Sequence, residues 1–268
     1  MNRLGTDKLT FAYHMQGEGP VLLLLHGFTG SRNTWQPFIA DWAKKYTVIA
    51  IDLPGHGQTE GSVDSMDDLM SELRQLMEIM QIKKWHILGY SMGGRVALAF
   101  ANEYPETILS LTLESASPGI NNEQAREERQ ITDEKLARKI EEEGIKSFVH
   151  YWENIPLFQT QKALSSHTID AIRKERLSQT VRGLSQSLRT IGTGKQKSYW
   201  ERLPSLNIPV HLIVGATDEK FVATNEKMAE QLSSVKTTVV ENAGHAIHVE
   251  HPEKFGKIVL SFINRYNE

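Results

Sequence analysis

The sequence of 268 residues contains no cysteine, no long apolar run and no excess of charge of one sign. Without cysteine the chain can form neither disulfides nor thiolate-ligated metal sites. No apolar run approaches the ~18 residues of a membrane span, and the N-terminal segment lacks the apolar core of a signal peptide. The 30 basic and 33 acidic residues of the chain give a net charge of −3. A nucleic-acid binder would typically carry an excess of basic residues. We therefore expect a cytoplasmic protein that neither binds nucleic acid nor inserts into a membrane.

Short apolar runs alternate with helical patterns along most of the chain. The runs are "VLLLLHG", "YTVIAID", "WHILGY", "ILSLTLES", "VHLIVG" and "TTVVEN". Because they are continuously apolar, they predict strands buried on both faces of a mostly parallel sheet. The stretch "SMDDLMSELRQLMEIM" predicts an amphipathic helix with Ser65 as its N-cap. This alternation predicts a doubly wound α/β fold, with ligands near the carboxyl ends of its strands.

The alternation stops between residues 119 and 204, where the sequence is polar, charged and helical in pattern. We interpret residues 119–204 as a helical cap inserted into a core formed by residues 1–118 and 205–268. Most charged side chains of this segment are expected on solvated helix faces.

A serine lies between glycines in Gly89-Tyr90-Ser91-Met92-Gly93, after an apolar run and before a helical pattern. G-x-S-x-G in this context is typical of a nucleophile elbow, a strained turn that exposes the serine hydroxyl above a sheet. The alternative is a glycine-rich turn in which the serine only caps a helix. Residues far downstream distinguish the two.

Asp218 in "VGATDEKF" and His245 in "NAGHAIHVEHP" each follow a late apolar run. The order serine, aspartate, histidine is the one in which α/β-hydrolases supply their catalytic triad. Such a triad is needed because an imidazole must take the serine proton, while a carboxylate orients the imidazole and stabilises its charged form. Asp52 is a rival acid, but it precedes the serine and opens a proline-glycine turn.

The stretch "LLLLHGFTGS" ends an apolar run in His26-Gly27-Phe28. In α/β-hydrolases the loop at this place provides one backbone N–H of the oxyanion hole, and the residue after the serine provides the other. Phe28 and Met92 are therefore the candidates. We interpret His26 as a loop-shaping residue and His248 as a cover for the helix that follows Pro252.

Across its whole length, from "LHGFTGS" through "DLPGHG", "GYSMGGR" and "AGH", the chain resembles the α/β-hydrolase fold. The stretches "LESASPG", "YWENIPLF", "RKERLSQTVRGLSQSLRTIGTGKQKSYWERLP" and "GATDEKF" resemble the 2-succinyl-6-hydroxy-2,4-cyclohexadiene-1-carboxylate synthase family of menaquinone biosynthesis. This resemblance implies a lyase that eliminates pyruvate after removing a proton from carbon. It implies that Ser91 and His245 act as the base, that Asp218 orients His245, and that no acyl-enzyme forms.

The resemblance also implies a substrate with several carboxylates, which arginine binds through two parallel hydrogen bonds. The family's pocket positions match Arg95 in "GGR", Arg126 and Arg176 in the cap, and the aromatic residues Tyr90 and Trp152. In the cap Arg129 is a close rival of Arg126, and Arg173 of Arg176. We expect a monomer whose partner is a small polycarboxylate, without metal or cofactor.

Two alternatives remain open at this stage. The same triad serves a serine hydrolase, either an esterase or a carbon–carbon bond hydrolase, acting on a small carboxylated substrate. The chain could instead bind a small ligand without turning it over, which an intact set of serine, aspartate and histidine argues against.

Overall fold

A computed structural model describes residues 2–267 of the chain. Its sheet has the strand order β1-β2-β4-β3-β6-β7-β8-β9, with the short β5 paired to β2. All pairs from β4 through β9 along this order are parallel, and the pairs made by β2 are antiparallel. The strands are β1 Asn2–Gly5, β2 Leu9–Gln16, β3 Val21–Leu25, β4 Thr47–Ile51, β5 Glu60–Gly61, β6 Trp85–Tyr90, β7 Ile108–Glu114, β8 Val210–Gly215 and β9 Val235–Val240. The predicted mostly parallel α/β sheet is confirmed.

Helices cover both faces of the sheet. They are α1 Gln36–Trp42, α2 Met66–Ile79, α3 Met92–Glu103, α4 Glu123–Trp152, α5 Ser166–Leu177, α6 Val181–Ile191, α7 Glu219–Ala229, α8 Ile247–Glu250 and α9 Pro252–Ile263. The Ser65 hydroxyl accepts a hydrogen bond from the Asp68 N–H at the start of α2, as its N-cap prediction requires. No helix within residues 2–267 is both long and apolar enough to cross a membrane.

Alternate side chains of the central strands enter two apolar clusters on opposite faces of the sheet. Leu23 and Leu25 of β3 pack with α2 and α3, whereas Leu22 and Leu24 pack with α1 and α9. Burial on both faces explains why the predicted strands read as continuous apolar runs. Each such leucine contributes ~1.5–3 kcal/mol by leaving water, so the strand ends form a rigid base for the loops above them.

Residues 119–204, all of which the structure describes, contain helices α4, α5 and α6 and no strand. Helix α4 is interrupted at Gly144, whose φ of 76° and ψ of 171° are not helical, so its two halves follow different directions. A small apolar cluster joins α4 to α6, formed by Ala137, Ile140, Phe148, Val149, Leu184 and Leu188. We call residues 119–204 the cap segment, and its boundaries stay a prediction.

Candidate active site

Ser91 occupies a strained turn between β6 and α3. Its φ of 50° and ψ of −106° lie in a region that costs a non-glycine residue of order 1–3 kcal/mol. The flanking glycines are required by space, since a Cβ at Gly89 would collide with the backbone of Gly93, and one at Gly93 with the backbone of Leu25. The G-x-S-x-G pattern is thus explained by close packing of the turn rather than by helix capping.

Three side chains from separate loops meet at this turn. The Ser91 hydroxyl lies 3.0 Å from Nε2 of His245, and Nδ1 of His245 lies 2.6 Å from Oδ2 of Asp218. His245 and Asp218 are 2% and 9% exposed. Asp218 follows β8 and His245 follows β9, and parallel strands bring these carboxyl ends to one edge of the sheet. With Nδ1–H donated to the carboxylate, Nε2 is free to accept a proton from the serine hydroxyl.

The loop after β3 lies beside this constellation and is held by His26. Nδ1 of His26 lies 2.8 Å from the Gly27 carbonyl, and Nε2 accepts the Leu53 N–H at 2.9 Å. Burial lowers the pKa of His26 to about 4, so the ring is neutral at pH 7. The interpretation of His26 as a loop-shaping residue is confirmed. Position 27 requires glycine, because a Cβ there would lie only 2.6 Å from Cδ1 of the Tyr90 ring.

A cavity of about 320 Å³ opens over Ser91 and His245, between the loops of the core and the cap segment. Phe28, Tyr90, Met92, Arg95 and Trp152 line it, so five of the seven residues predicted to bind substrate meet the serine and histidine there. Other lining side chains are Ser115, Arg129, Leu136, Phe158, Lys220 and Phe221.

Arg95 is 8% exposed and lines this cavity one turn after Ser91. Its Nη1 donates to the Ile191 carbonyl and to Oε1 of Gln196, both at 3.0 Å. Its partners within residues 2–267 are thus neutral oxygens, not a carboxylate. Burial lowers the pKa of Arg95 to about 10, with repulsion from Arg129 adding to the effect and Asp133 opposing it. The guanidinium remains charged at pH 7. Because burial of a charge is costly unless it is paired, a bound anion would stabilise it.

Arg126 and Arg129 differ in position, although both belong to the first turns of α4. Arg129 lines the cavity and donates from Nε to Oδ1 of Asp133 at 2.7 Å. Arg126 is not among the lining residues, and its nearest carboxylate is that of Glu123 at 3.9 Å. The sequence favoured Arg126, but the structure brings its rival Arg129 to the site because Arg129 shares a helix face with Leu136.

Arg176 lies in the cap, behind a partition formed by Tyr90 and Phe158. These two side chains line both the triad cavity and a neighbouring cavity of about 580 Å³, which Arg176 also lines. The Arg176 guanidinium lies 4.7 Å from the centre of the Phe158 ring and donates to Oε1 of Gln161 at 3.1 Å. Its rival Arg173 instead donates two hydrogen bonds to the Glu153 carboxylate at the protein surface. Of the pair, Arg176 is the buried one.

Sequence reasoning missed Gln196, Lys220 and the pair formed by Glu114 and His248. Gln196 supports Arg95 from an irregular segment without periodicity, and Lys220 reaches the cavity from the first turn of α7. Glu114 offered a signal, since it is a charged residue that ends an apolar run.

Asp52, set aside as a triad acid, pairs with Arg32 and accepts the Gln58 N–H at 2.8 Å, which stabilises its turn.

Comparison with known proteins bears on this geometry. The model of the α/β-hydrolase fold family matches residues 20–252. A Bacillus subtilis protein, provisionally named 2-succinyl-6-hydroxy-2,4-cyclohexadiene-1-carboxylate synthase, is 40% identical over 97% of this chain and 99% of its own. The synthase of that name from Salmonella typhimurium is 33% identical over 90% of this chain and 93% of its own. This chain belongs to that synthase family within the α/β-hydrolase fold.

Solved structures agree with this membership. The structure of MenH from S. aureus superposes with a TM-score of 0.91 at 36% identity, covering 98% of this chain and all of the other. An esterase from Thermogutta terrifontis also superposes well, with a TM-score of 0.87, but it is 24% identical and shares the fold alone. The fold therefore does not separate a lyase from an esterase, and the side chains of the cavity must do so.

Proposed function

We propose that this enzyme is a carbon–oxygen lyase of menaquinone biosynthesis. Its substrate is 2-succinyl-5-enolpyruvyl-6-hydroxy-3-cyclohexene-1-carboxylate, from which it eliminates pyruvate to give 2-succinyl-6-hydroxy-2,4-cyclohexadiene-1-carboxylate. The names of the relatives support this reaction, and the chemistry of the cavity fits it.

In the proposed mechanism, His245 and Ser91 act together as the base. The proton leaves a ring carbon of the substrate, the C–H electrons form a new ring double bond, and the C–O bond to the enolpyruvyl group breaks. The leaving group becomes pyruvate when it takes a proton, so water is not consumed. Asp218 keeps Nδ1 of His245 protonated, as the 2.6 Å hydrogen bond between them supports.

Two backbone groups complete the proposed machinery. Negative charge that develops on a substrate carbonyl would be stabilised by the amides of Phe28 and Met92, whose residues line the cavity beside Ser91. Because the serine serves in proton transfer, no covalent acyl-enzyme is required.

The observation that carries this proposal is the buried, carboxylate-free guanidinium of Arg95 in the same cavity as Ser91 and His245. The carboxylate of Asp133 acts on this charge but is hydrogen-bonded to Arg129. A neutral ester would therefore leave the Arg95 guanidinium without a hydrogen-bonded carboxylate, whereas a carboxylated substrate would supply one. We propose that Arg129 supplies a second cation in place of Arg126. We propose that Arg176 acts from beyond the Tyr90 partition. The indole N–H of Trp152 has no partner within residues 2–267 and would be free to donate to the substrate.

The remaining features of the proposal follow from the substrate. A small, water-soluble polycarboxylate is consistent with a cytoplasmic enzyme. Elimination needs only the proposed base and the two backbone amides, so we also propose that the enzyme uses neither metal nor cofactor and acts as a monomer.

The test is to offer the purified protein the enolpyruvyl precursor and to measure released pyruvate, with Ser91→Ala as the control. We expect pyruvate release from the wild type and its loss in the variant. The assembled serine, histidine and aspartate also suit an esterase, so a neutral chromogenic ester is assayed in parallel. Faster turnover of the ester, without pyruvate release from the precursor, would replace the lyase by a serine hydrolase.

A further inference from the structure

A second buried carboxylate–imidazole pair, formed by Glu114 and His248, lies next to the triad. Glu114 is the last residue of β7 and is fully buried, and His248 belongs to α8. The Glu114 carboxylate accepts the backbone N–H of His248 at 2.9 Å and Nδ1–H of its ring at 2.8 Å. The carboxylate thus fixes both the backbone and the ring of one residue.

Glu114 contacts both segments that carry the base. Its backbone carbonyl accepts the Ser91 N–H at 2.9 Å, while its side chain binds His248, three residues after His245. The His248 ring packs edge-on against Tyr90, with centroids 4.5 Å apart, and Tyr90 lies 5.4 Å from the His245 ring. A shift of the Glu114 side chain would therefore be transmitted to His245 through backbone and through ring contact.

Stability alone does not account for this pair. Burying a carboxylate is costly, and apolar side chains of similar volume often serve a core at least as well as a buried ionic pair. What such a pair does provide is geometry, because its three hydrogen bonds permit one arrangement of the 245–250 segment. At the other end of that segment the Gly244 N–H is held by Glu250 at 2.7 Å, which leaves His245 between two carboxylate anchors.

We propose that Glu114 is a positioning residue which, through His248, sets Nε2 of His245 against the Ser91 hydroxyl. The proposal rests on the role of His245 as the base in the proposed function. It predicts that a defect at Glu114 slows the chemical step and leaves substrate capture by the arginines unchanged.

The test compares Glu114→Gln with a matched control on the same two strands. The glutamine amide can still accept the His248 backbone N–H, but its NH₂ group faces Nδ1–H, so the ring loses its acceptor. We expect kcat for pyruvate release to fall about 10- to 100-fold, with KM within about two-fold, as for a misplaced catalytic group. The control is His86→Leu, which removes the buried hydrogen bond between Nδ1 of His86 and the Ser110 hydroxyl at the opposite ends of β6 and β7. It should lower Tm while kcat stays at the wild-type value.

A second readout keeps this inference separate from the proposed substrate. A fluorophosphonate probe reacts when the Ser91 oxygen displaces fluoride and its proton passes to His245, so its labelling rate reports the base geometry directly. Slower labelling in Glu114→Gln supports positioning even if the wild type releases no pyruvate, in which case only the proposed function fails. Wild-type labelling and kcat in Glu114→Gln would overturn the inference, and so would failure of the wild type itself to be labelled.

Variants of His248 decide the matter if Glu114→Gln does not fold. His248→Asn places an amide N–H where Nδ1–H stands, so it should retain most of kcat. His248→Leu lacks the donor and should lose kcat as Glu114→Gln does. Equal kcat values in the asparagine and leucine variants would contradict a positioning role for the pair.

Discussion

The triad and the cap arginines are held in different ways. Ser91, Asp218 and His245 each follow a strand of one parallel sheet and bond to one another, so their relative positions are set by the core. Arg129 and Arg176 lie on α4 and α5 of the cap segment, whose small apolar cluster joins α4 to α6.

Polar contacts join the cap segment to the loops of the core. Glu175 accepts the hydroxyl groups of Ser31 at 2.6 Å and Thr34 at 2.9 Å, and Gln179 accepts the Gly57 N–H at 2.9 Å. In the proposed function, proton transfer thus belongs to the rigid core and recognition of the anion largely to the cap segment.

The largest expected effect is at the triad. Ser91→Ala and His245→Ala should each lower kcat by at least ~10²-fold, because both belong to one proton-transfer unit. The double variant should be little slower than either single one. Steady-state pyruvate assays on all three proteins measure this, with Tm as the folding control. Independent, multiplicative losses would mean that the two residues do not act together.

Arg95 belongs to the core, but the proposed function assigns it to recognition of the substrate. Charge-assisted hydrogen bonds contribute roughly 1.5–3 kcal/mol, so Arg95→Ala should lose on the order of 10- to 100-fold in kcat/KM. Arg95→Lys keeps the charge but loses the planar fork, and should still be clearly impaired. If instead Tm fell while kcat/KM per folded molecule stayed near the wild-type value, Arg95 would be a structural residue only.

Within the cap, Arg126 and Arg129 form a matched pair on one helix. Arg129→Ala should raise KM about 10-fold and affect kcat less, because it removes one charge-assisted contact to the substrate. Arg126→Ala should leave both constants near their wild-type values, since its side chain is not among those lining the cavity. The reverse result would restore the assignment that the sequence favoured.

The smallest effect on activity is expected from the buried histidines of the core. Burial lowers the pKa of His26 and His86 to about 4, and that of His56 and His211 to about 3. In the unfolded chain these rings take up protons near pH 6.5. The unfolded state thus binds more protons, so the free energy of unfolding falls as the pH drops from 6.5 towards 4.

His211→Asn tests this account, because His211 lies in β8, where its ring bonds to Thr238. Denaturant unfolding at several pH values should show a shallower acid loss of stability in the variant than in the wild type. Its turnover at pH 7 should be unchanged. Identical pH dependence in the two proteins would show that His211 does not contribute to acid unfolding.

Much of the core could be predicted because its signals are local. Strands such as β3 and β6 are buried on both faces and read as continuous apolar runs, and Ser65 marks the start of α2 by its capping hydroxyl. Strand β2 was not predicted, since it lies near the edge of the sheet and its residues are buried only in part. The triad was found because chain order and strand ends carry its geometry.

The cap was harder to predict, and the choice between Arg126 and Arg129 shows why. Both are arginines on one polar helix, and which of them faces the cavity depends on how α4 docks against α6 and the core, which no local pattern encodes. The interruption of α4 at Gly144 is of the same kind, because an isolated glycine is tolerated within helices. Glu114 was overlooked because its partner His248 is distant in sequence.

The mass of the ring product that accompanies pyruvate release distinguishes elimination from hydrolysis. We expect the cyclohexadiene, formed by elimination without water, at the same rate as pyruvate and only with Ser91 and His245 intact. Hydrolysis of the same enolpyruvyl group would give a ring alcohol heavier by one water. Finding that alcohol as the main product would contradict the lyase mechanism, whatever the rate of pyruvate release.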